Sequence, residues 1–186
     1  PAAWVHIVHV LTAKSPGQTG YLQDADAIVA NVEKHRVAAL DCVVSGLTKC
    51  AAIQVEFAHN ALVGKAKAVD INGDTKVDFD APIATGLVAP ETALNHAVKH
   101  AVFARDGDKN APDDGPLKGG VLALQSAAAT TNDAVADAKS KTFAFAKGVT
   151  TNFKDADLAL QAVRSGMNAA LSAGRKLGSV TLVPQP

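Results

Sequence analysis

The feature of this sequence that most constrains its fold is the small size of its apolar side chains. Apolar residues make up 48% of the 186 residues, whereas aromatic residues make up only 4%. A core of Ala, Val and Leu lets helices and sheets approach closely, but each such side chain buries little area. The few large side chains, such as Trp4, Phe57 and Phe103, are therefore expected to anchor the core.

Alternation of apolar and polar residues predicts several short strands. The clearest run is AWVHIVHVL at residues 3–11, which is rich in β-branched side chains. The Asn72-Gly73 pair lies between two alternating segments and predicts the turn of a β-hairpin. The other predicted strands share this short, alternating pattern and cover residues 52–57, 65–69, 76–79, 121–124, 142–146 and 179–183.

Apolar residues at helical spacing predict four helices. These cover residues 21–47, 91–103, 127–139 and a C-terminal segment that begins at Asn152 or Asp155 and ends near residue 177. The face of the last helix that is expected to be buried consists of Leu160, Val163, Met167 and Leu171.

These elements predict an α+β fold that forms a single domain over residues 1–186. The expected architecture is a mixed or antiparallel sheet of about four to six strands, with two longer helices packed on one face.

The charges of the chain balance, with 18 basic and 18 acidic residues. A net charge of zero does not indicate a nucleic-acid surface, and it gives little repulsion between copies of the chain. No basic leader precedes an apolar segment, and no run of about 18 apolar residues is present, so no membrane span is expected. Cys42 and Cys50 lack CxxC spacing and are interpreted as small buried hydrophobes, which favours the cytoplasm.

Two acidic loops are candidate cation sites. Asp70, Asn72, Asp74 and Asp78 match positions one, three, five and nine of a calcium loop, but Ala81 stands where the bidentate carboxylate is needed. The sequence therefore predicts a hairpin whose acids face water and that binds no metal, and a calcium loop is the alternative. The second loop is interpreted as a solvated surface segment, with a weak cation site as the alternative, and its polar residues are Asp106, Asp108, Asn110, Asp113 and Asp114.

Histidines offer a second kind of candidate site. His96 and His100 are four residues apart on a predicted helix, which places both rings on one face as zinc ligands require. The third ligand is not evident, and His35 or His59 could supply it only through the fold. Both are therefore interpreted as surface histidines near the end of the helix, with metal or haem ligation as the alternative. Two further histidines, expected on opposite faces of the first strand and therefore unable to share an ion, are His6 and His9.

No sequence motif marks a catalytic site. The glycine-rich turn at residues 115–120, with Lys118, is neither a P-loop nor a dinucleotide fingerprint, and no nucleophile elbow is present. No catalytic residue, resident metal or cofactor is therefore predicted, and the chain is expected not to be an enzyme.

The segment from Lys147 to Pro186 resembles the second half of a bacterial microcompartment shell domain. A strand ending at Gly148, an alanine-rich helix over residues 156–177, a closing Gly178 and the ending SVTLVPQP follow in the order found in that family. The resemblance implies a protein that tiles through its edges, and no functional residue is transferred with it.

The main functional hypothesis is a non-enzymatic, self-assembling structural protein, such as a shell, capsid coat or tube subunit. Its partner would be the chain itself, and it would be located in the cytoplasm or within the assembled particle. The alternative is a domain that binds a small molecule, a metal or haem, based on His96, His100 and the acidic loops.

Overall fold

The computed structural model describes residues 2–13, 18–88, 91–108 and 115–180, and these are predominantly helical. The helices are α1 (Ala2–Leu11), α2 (Tyr21–Val44), α3 (Thr48–Val63), α4 (Ala93–Gly107), α5 (Pro116–Ala146) and α6 (Phe153–Gly178), and a short 3-10 turn (Lys65–Lys67) follows α3. Among these residues, no helix combines the length and the apolar character needed to cross a membrane.

The prediction of an α+β fold with a sheet is wrong, because the described part of the chain contains no β-strand. The predicted strands at residues 3–11 and 52–57 lie in α1 and α3, and those at 121–124 and 142–146 both lie in α5. The glycine-rich turn expected to lead into a strand contributes instead to the first turn of α5. Of the predicted strand at 179–183, only Ser179 and Val180 are described, and neither is extended in a sheet.

Helix α1 shows why alternation was misleading. Its buried residues are Ala3, Ile7 and Val10, which recur at the spacing of one helix face. A short run of β-branched residues forms a strand only where the surroundings offer a sheet to pair with. The expected aromatic anchors also differ, since Trp4 and Phe103 are 45% and 52% exposed.

The contacts of the chain group into two compact units. Unit 1 consists of Pro1–Asp26, Pro90–Thr130 and Gly166–Pro186, and unit 2 consists of Ala27–Ala89 and Thr131–Ser165. Helices α2, α5 and α6 contribute to both units. A single domain over residues 1–186 stays a prediction.

In unit 1, α1 packs against α4 through small side chains. Thr92 caps α4, because its hydroxyl accepts a hydrogen bond of 3.1 Å from the backbone N–H of Asn95. The buried face of α4 is formed entirely by alanines and one leucine, namely Ala93, Leu94, Ala97, Ala101 and Ala104. Because alanine is small, α1 and α4 approach closely, and longer side chains beside the alanines can reach from one helix to the other.

The C-terminal helix was predicted correctly. Leu160, Val163 and Met167 on α6 are buried, as their spacing indicated. Leu171 is only half-buried, and Ala170 is completely buried instead. Periodicity therefore located the helix and most of its buried face.

In unit 2, a disulfide joins the end of α2 to the start of α3. Cys42 and Cys50 are bonded across a sequence separation of eight residues, with their Cα atoms 5.7 Å apart. The interpretation of the two cysteines as separate buried hydrophobes is therefore wrong. The disulfide closes the turn around Gly46, whose φ of 73° favours glycine.

A buried carboxylate organises the loop that follows α3. Glu56 is completely buried, and its two oxygens accept hydrogen bonds from the backbone amides of Ile71, Asn72 and Asp78 at 2.9–3.1 Å. The predicted hairpin around Gly73 is absent, since the flanking residues form no strands. The loop therefore folds around a helix side chain rather than along a neighbouring strand.

A second segment crosses the end of α3 at two glycines. The N–H of Lys65 donates to the carbonyl of Ala84 (2.8 Å), and the N–H of Leu87 donates to the carbonyl of Leu62 (2.6 Å). A Cβ atom on Gly86 would overlap the backbone of Leu62 and Gly64, and Gly64 itself has a φ of 84°. Both positions therefore require glycine.

Candidate metal centre

Three histidines of unit 1 meet where α1 packs against α4. His6 and His9 are three residues apart on a helix, so they share one face, and the expectation that they lie on opposite faces is wrong. His100 lies on α4, toward the middle of that helix. His6, His9 and His100 are called the histidine cluster below.

The ring nitrogens of the histidine cluster converge. Nδ1 of His6 lies 3.0 Å from Nδ1 of His100, and one nitrogen from each of the three rings lies within 4.8 Å of the others. In tetrahedral zinc sites with Zn–N bonds near 2 Å, ligand nitrogens are roughly 3.3 Å apart. The rings therefore need only small rotations to bind one ion.

Aromatic rings surround the histidine cluster. The ring of Tyr21 is centred 5.1 Å from that of His100, and the ring of Phe103 is 5.4 Å from that of His6. Burial lowers the pKa of His100, and repulsion from protonated His6, His9 and His96 lowers it further. These effects favour the neutral imidazole, which is the form that binds metal ions.

His96 does not belong to the histidine cluster. Its Nε2 lies 2.9 Å from a carboxylate oxygen of Glu91, and its ring stacks on Tyr21 at 5.1 Å. The other oxygen of Glu91 pairs with Lys99. Of the two histidines suggested by helical spacing, His96 therefore contacts Glu91 and Tyr21, and only His100 belongs to the histidine cluster.

The two histidines considered as a third ligand have other partners in unit 2. His35 is buried, and its Nδ1 lies 2.7 Å from Oε1 of Gln54 while its Nε2 lies 2.8 Å from Oδ1 of Asp80. His59 is also buried, and its Nδ1 lies 3.0 Å from the hydroxyl of Thr142. Sequence reasoning missed the two histidines of the cluster that lie on α1, although the spacing of Ala3, Ile7 and Val10 indicates the face that they share.

The described residues of the 70–78 loop do not form a cluster of carboxylates. In the described residues, no three acids of the 70–78 loop place oxygens within 4.8 Å of one another. The carboxylate of Asp70 accepts from the amides of Gly73 and Thr75, and Asp78 is buried beside Lys76 rather than facing water.

In the second loop, Asp106 pairs with Arg105 and Asp108 is buried. Asn110, Asp113 and Asp114 lie outside the described residues. That neither loop binds a metal stays a prediction.

Comparison with protein-family models, with curated proteins and with solved structures gives no match. Of the features that carried the shell-domain resemblance, the helix over residues 156–177 lies within α6. The strand expected to end at Gly148 is instead the last turn of α5 and the bend after it. Functional inference for this chain therefore rests on the geometry of its own side chains.

Proposed function

We propose that this chain binds a divalent transition-metal ion at the histidine cluster. The observation that carries the proposal is the convergence of three ring nitrogens, from two packed helices, within 4.8 Å of one another. Imidazole nitrogens suit zinc, copper, nickel and iron, whereas calcium and magnesium require oxygen ligands. Three protein ligands leave a fourth position on a tetrahedral ion for water or an external ligand.

The test is a calorimetric titration of the purified chain with Zn²⁺, together with a matched pair of variants. His100→Ala removes a ligand, whereas His96→Ala removes a histidine from the same helix that lies outside the cluster. Mutating a residue that hydrogen-bonds a metal ligand typically lowers the metal affinity about 10–100-fold. Removing the ligand itself should therefore lower the zinc affinity roughly 100-fold or more. His96→Ala should change the affinity by less than about threefold.

Equal zinc affinity in the two variants would refute the proposal. The single tryptophan gives an independent signal, because Trp4 lies on α1 close in sequence to His6. Cu²⁺ at the cluster should quench its fluorescence in the parent and in His96→Ala, but not in His100→Ala. A Soret band in the purified chain that survives in His100→Ala would instead favour haem bound elsewhere.

Self-assembly is a second candidate function, and an exposed apolar stripe on α2 supports it. Val37, Leu40 and Val44 follow one another at helical spacing and are 42%, 38% and 80% exposed. Because the chain carries no net charge, little electrostatic repulsion opposes contact between two such stripes.

Light scattering over a wide concentration range tests the assembly. The parent should form oligomers that dissociate in a Val37→Glu/Val44→Glu variant, and persist in a Glu33→Gln variant on the same helix. A monomer at every concentration would contradict self-assembly. The shell, capsid or tube architecture and the absence of enzymatic activity stay predictions.

The cytoplasmic location is also a prediction, and the disulfide argues against it. Reducing compartments keep most thiols free, whereas structural disulfides persist in oxidising compartments. The Cys42–Cys50 bond therefore favours an oxidising environment for this chain.

A further inference from the structure

A groove in unit 2 has the features of a binding site and is separate in its residues from the histidine cluster. It is bordered by α3, by α5 and by the connection between α3 and α4, and its volume is about 540 Å³. Small-molecule sites are commonly about 300–1,000 Å³ in volume and largely apolar, with a few polar groups that fix the ligand. This cavity is called the α3–α5 groove below.

One part of the α3–α5 groove is apolar. Val63 on α3 and Phe143 on α5 line it, together with Val69 and Val88 from the connection. Val69 and Phe143 are large side chains that are exposed to solvent in this structure. A ligand with an aliphatic segment would therefore remove exposed apolar surface from water.

The polar groups of the groove are basic or neutral. Lys67 and Lys139 both line it and are exposed, Ser140 adds a hydroxyl, and no carboxylate is among the lining residues. Other surface lysines, such as Lys141, pair with acids, whereas neither groove lysine has an ion pair within the described residues. Two ammonium groups that have no ion pair among the described residues, beside an apolar wall, favour an anion that carries an apolar chain.

His59, at the side of the groove, is uncharged near neutral pH. It is buried and bonded to Thr142, and its pKa is lowered to about 4 by burial and by the charge of Lys139. Its ring lies against that of Phe143, with the centroids 5.8 Å apart. Near neutral pH, the imidazole therefore extends the apolar wall as an uncharged ring.

We propose that the α3–α5 groove binds a carboxylate with an aliphatic chain, with the carboxylate between Lys67 and Lys139 and the chain against Val69 and Phe143. The occupant is thus a fatty-acid-like small molecule. This site differs in residues and in ligand chemistry from the metal centre, so either can fail without the other.

The test is calorimetric titration with decanoate below its micellar concentration, at neutral pH, in the metal-free chain. Decanoate should bind the parent saturably with one site. Lys67→Gln/Lys139→Gln should weaken binding roughly tenfold or more, because both charge-assisted contacts are lost.

The matched control is Lys65→Gln/Lys141→Gln, which removes two charges from neighbouring positions that do not line the groove. It should bind decanoate as the parent does. Circular dichroism of both double variants checks that the exposed substitutions leave the helices intact.

Each part of the ligand has its own probe. Acetate and inorganic phosphate, which lack the chain, should bind at least roughly tenfold more weakly than decanoate, and so should decanol, which lacks the charge. Phe143→Ala should weaken decanoate without affecting acetate. Absence of saturable decanoate binding, equal loss in the two lysine double variants, or equal binding of phosphate or decanol would each overturn the proposal.

Discussion

Glu56 illustrates how one residue can determine a loop in this protein. It lies on α3, fully buried, and accepts hydrogen bonds from three backbone amides of the following connection. A buried carboxylate is costly unless it is hydrogen-bonded, and a buried amide is costly unless it finds an acceptor. In this loop the backbone amides donate to the Glu56 carboxylate, so both kinds of buried group are hydrogen-bonded and the loop needs no pairing with a strand.

Replacing this carboxylate should destabilise the fold. In Glu56→Gln, the side chain keeps its shape, but its NH₂ group faces backbone donors where a carboxylate oxygen accepted. Hydrogen bonds to charged groups contribute about 1.5–3 kcal/mol each, so a loss of about 3 kcal/mol is expected. Urea unfolding measures it, with the exposed Glu91→Gln as the control that should change stability little.

His59 should make the stability of the chain depend on pH. Its pKa is lowered from 6.5 to about 4, because burial and the charge of Lys139 oppose protonation in the folded state. The unfolded chain therefore binds the proton first as the pH falls. Stability is fully present above about 6.5 and is lost as the pH approaches 4, by roughly 3 kcal/mol over that range.

Urea unfolding at pH 7, 5.5 and 4.5 tests this dependence in the parent and in His59→Gln. Glutamine stays neutral and can still donate a hydrogen bond to Thr142. Carboxylates titrate equally in both proteins, so the difference isolates His59. Parallel pH profiles would show that His59 does not carry the effect.

At the level of elements, the turn between α2 and α3 is held by the Cys42–Cys50 disulfide. A bond that closes a loop of about nine residues stabilises the folded state by about 2–3 kcal/mol in the chain-entropy model. Reduction with dithiothreitol should therefore lower the melting temperature by several degrees. A Cys42→Ala/Cys50→Ala variant should start at the lower value and not respond to reductant.

The elements that the sequence predicted correctly are those with long periodic patterns. Over α6, buried residues recur from Leu160 through Met167 to Leu177, which spans between four and five helical turns, so one face is well determined. In α1, ten residues fit both an alternating and a helical pattern, and only the packing against α4 decides between them. Asn72-Gly73 is a hairpin signal, but the tertiary hydrogen bonds to Glu56 override it.

At the level of the whole molecule, metal binding should be linked to folding. An ion that binds only the folded state stabilises it by about 2.7 kcal/mol at 100 times its dissociation constant. Zn²⁺ should therefore raise the melting temperature at pH 7.5, and a chelator should reverse the change. At pH 5 the effect should disappear, because protonated imidazoles cannot bind the ion.

The same two histidine variants show whether the stabilising ion binds at the histidine cluster. His96→Ala should retain the zinc-dependent rise in melting temperature, and His100→Ala should lose it. A rise of equal size in both would place the ion outside the histidine cluster.

The metal centre could be predicted only in part. Helical spacing on α4 identified His100, but it identified His96 equally well, and only Glu91 and Tyr21 distinguish the two. His6 and His9 join the histidine cluster only because α1 is a helix that packs against α4. Convergence from two helices is a property of packing, which residue spacing within one segment does not contain.

The crossing at Gly64 and Gly86 has a consequence for the evolution of this fold. Any side chain at residue 86 would collide with the backbone of α3, and Gly64 has a φ of 84°, so replacing either glycine requires the backbone to move. Distant homologues should therefore keep two glycines that correspond to Gly64 and Gly86, 22 positions apart. The first of these should directly follow a helix that carries a buried glutamate.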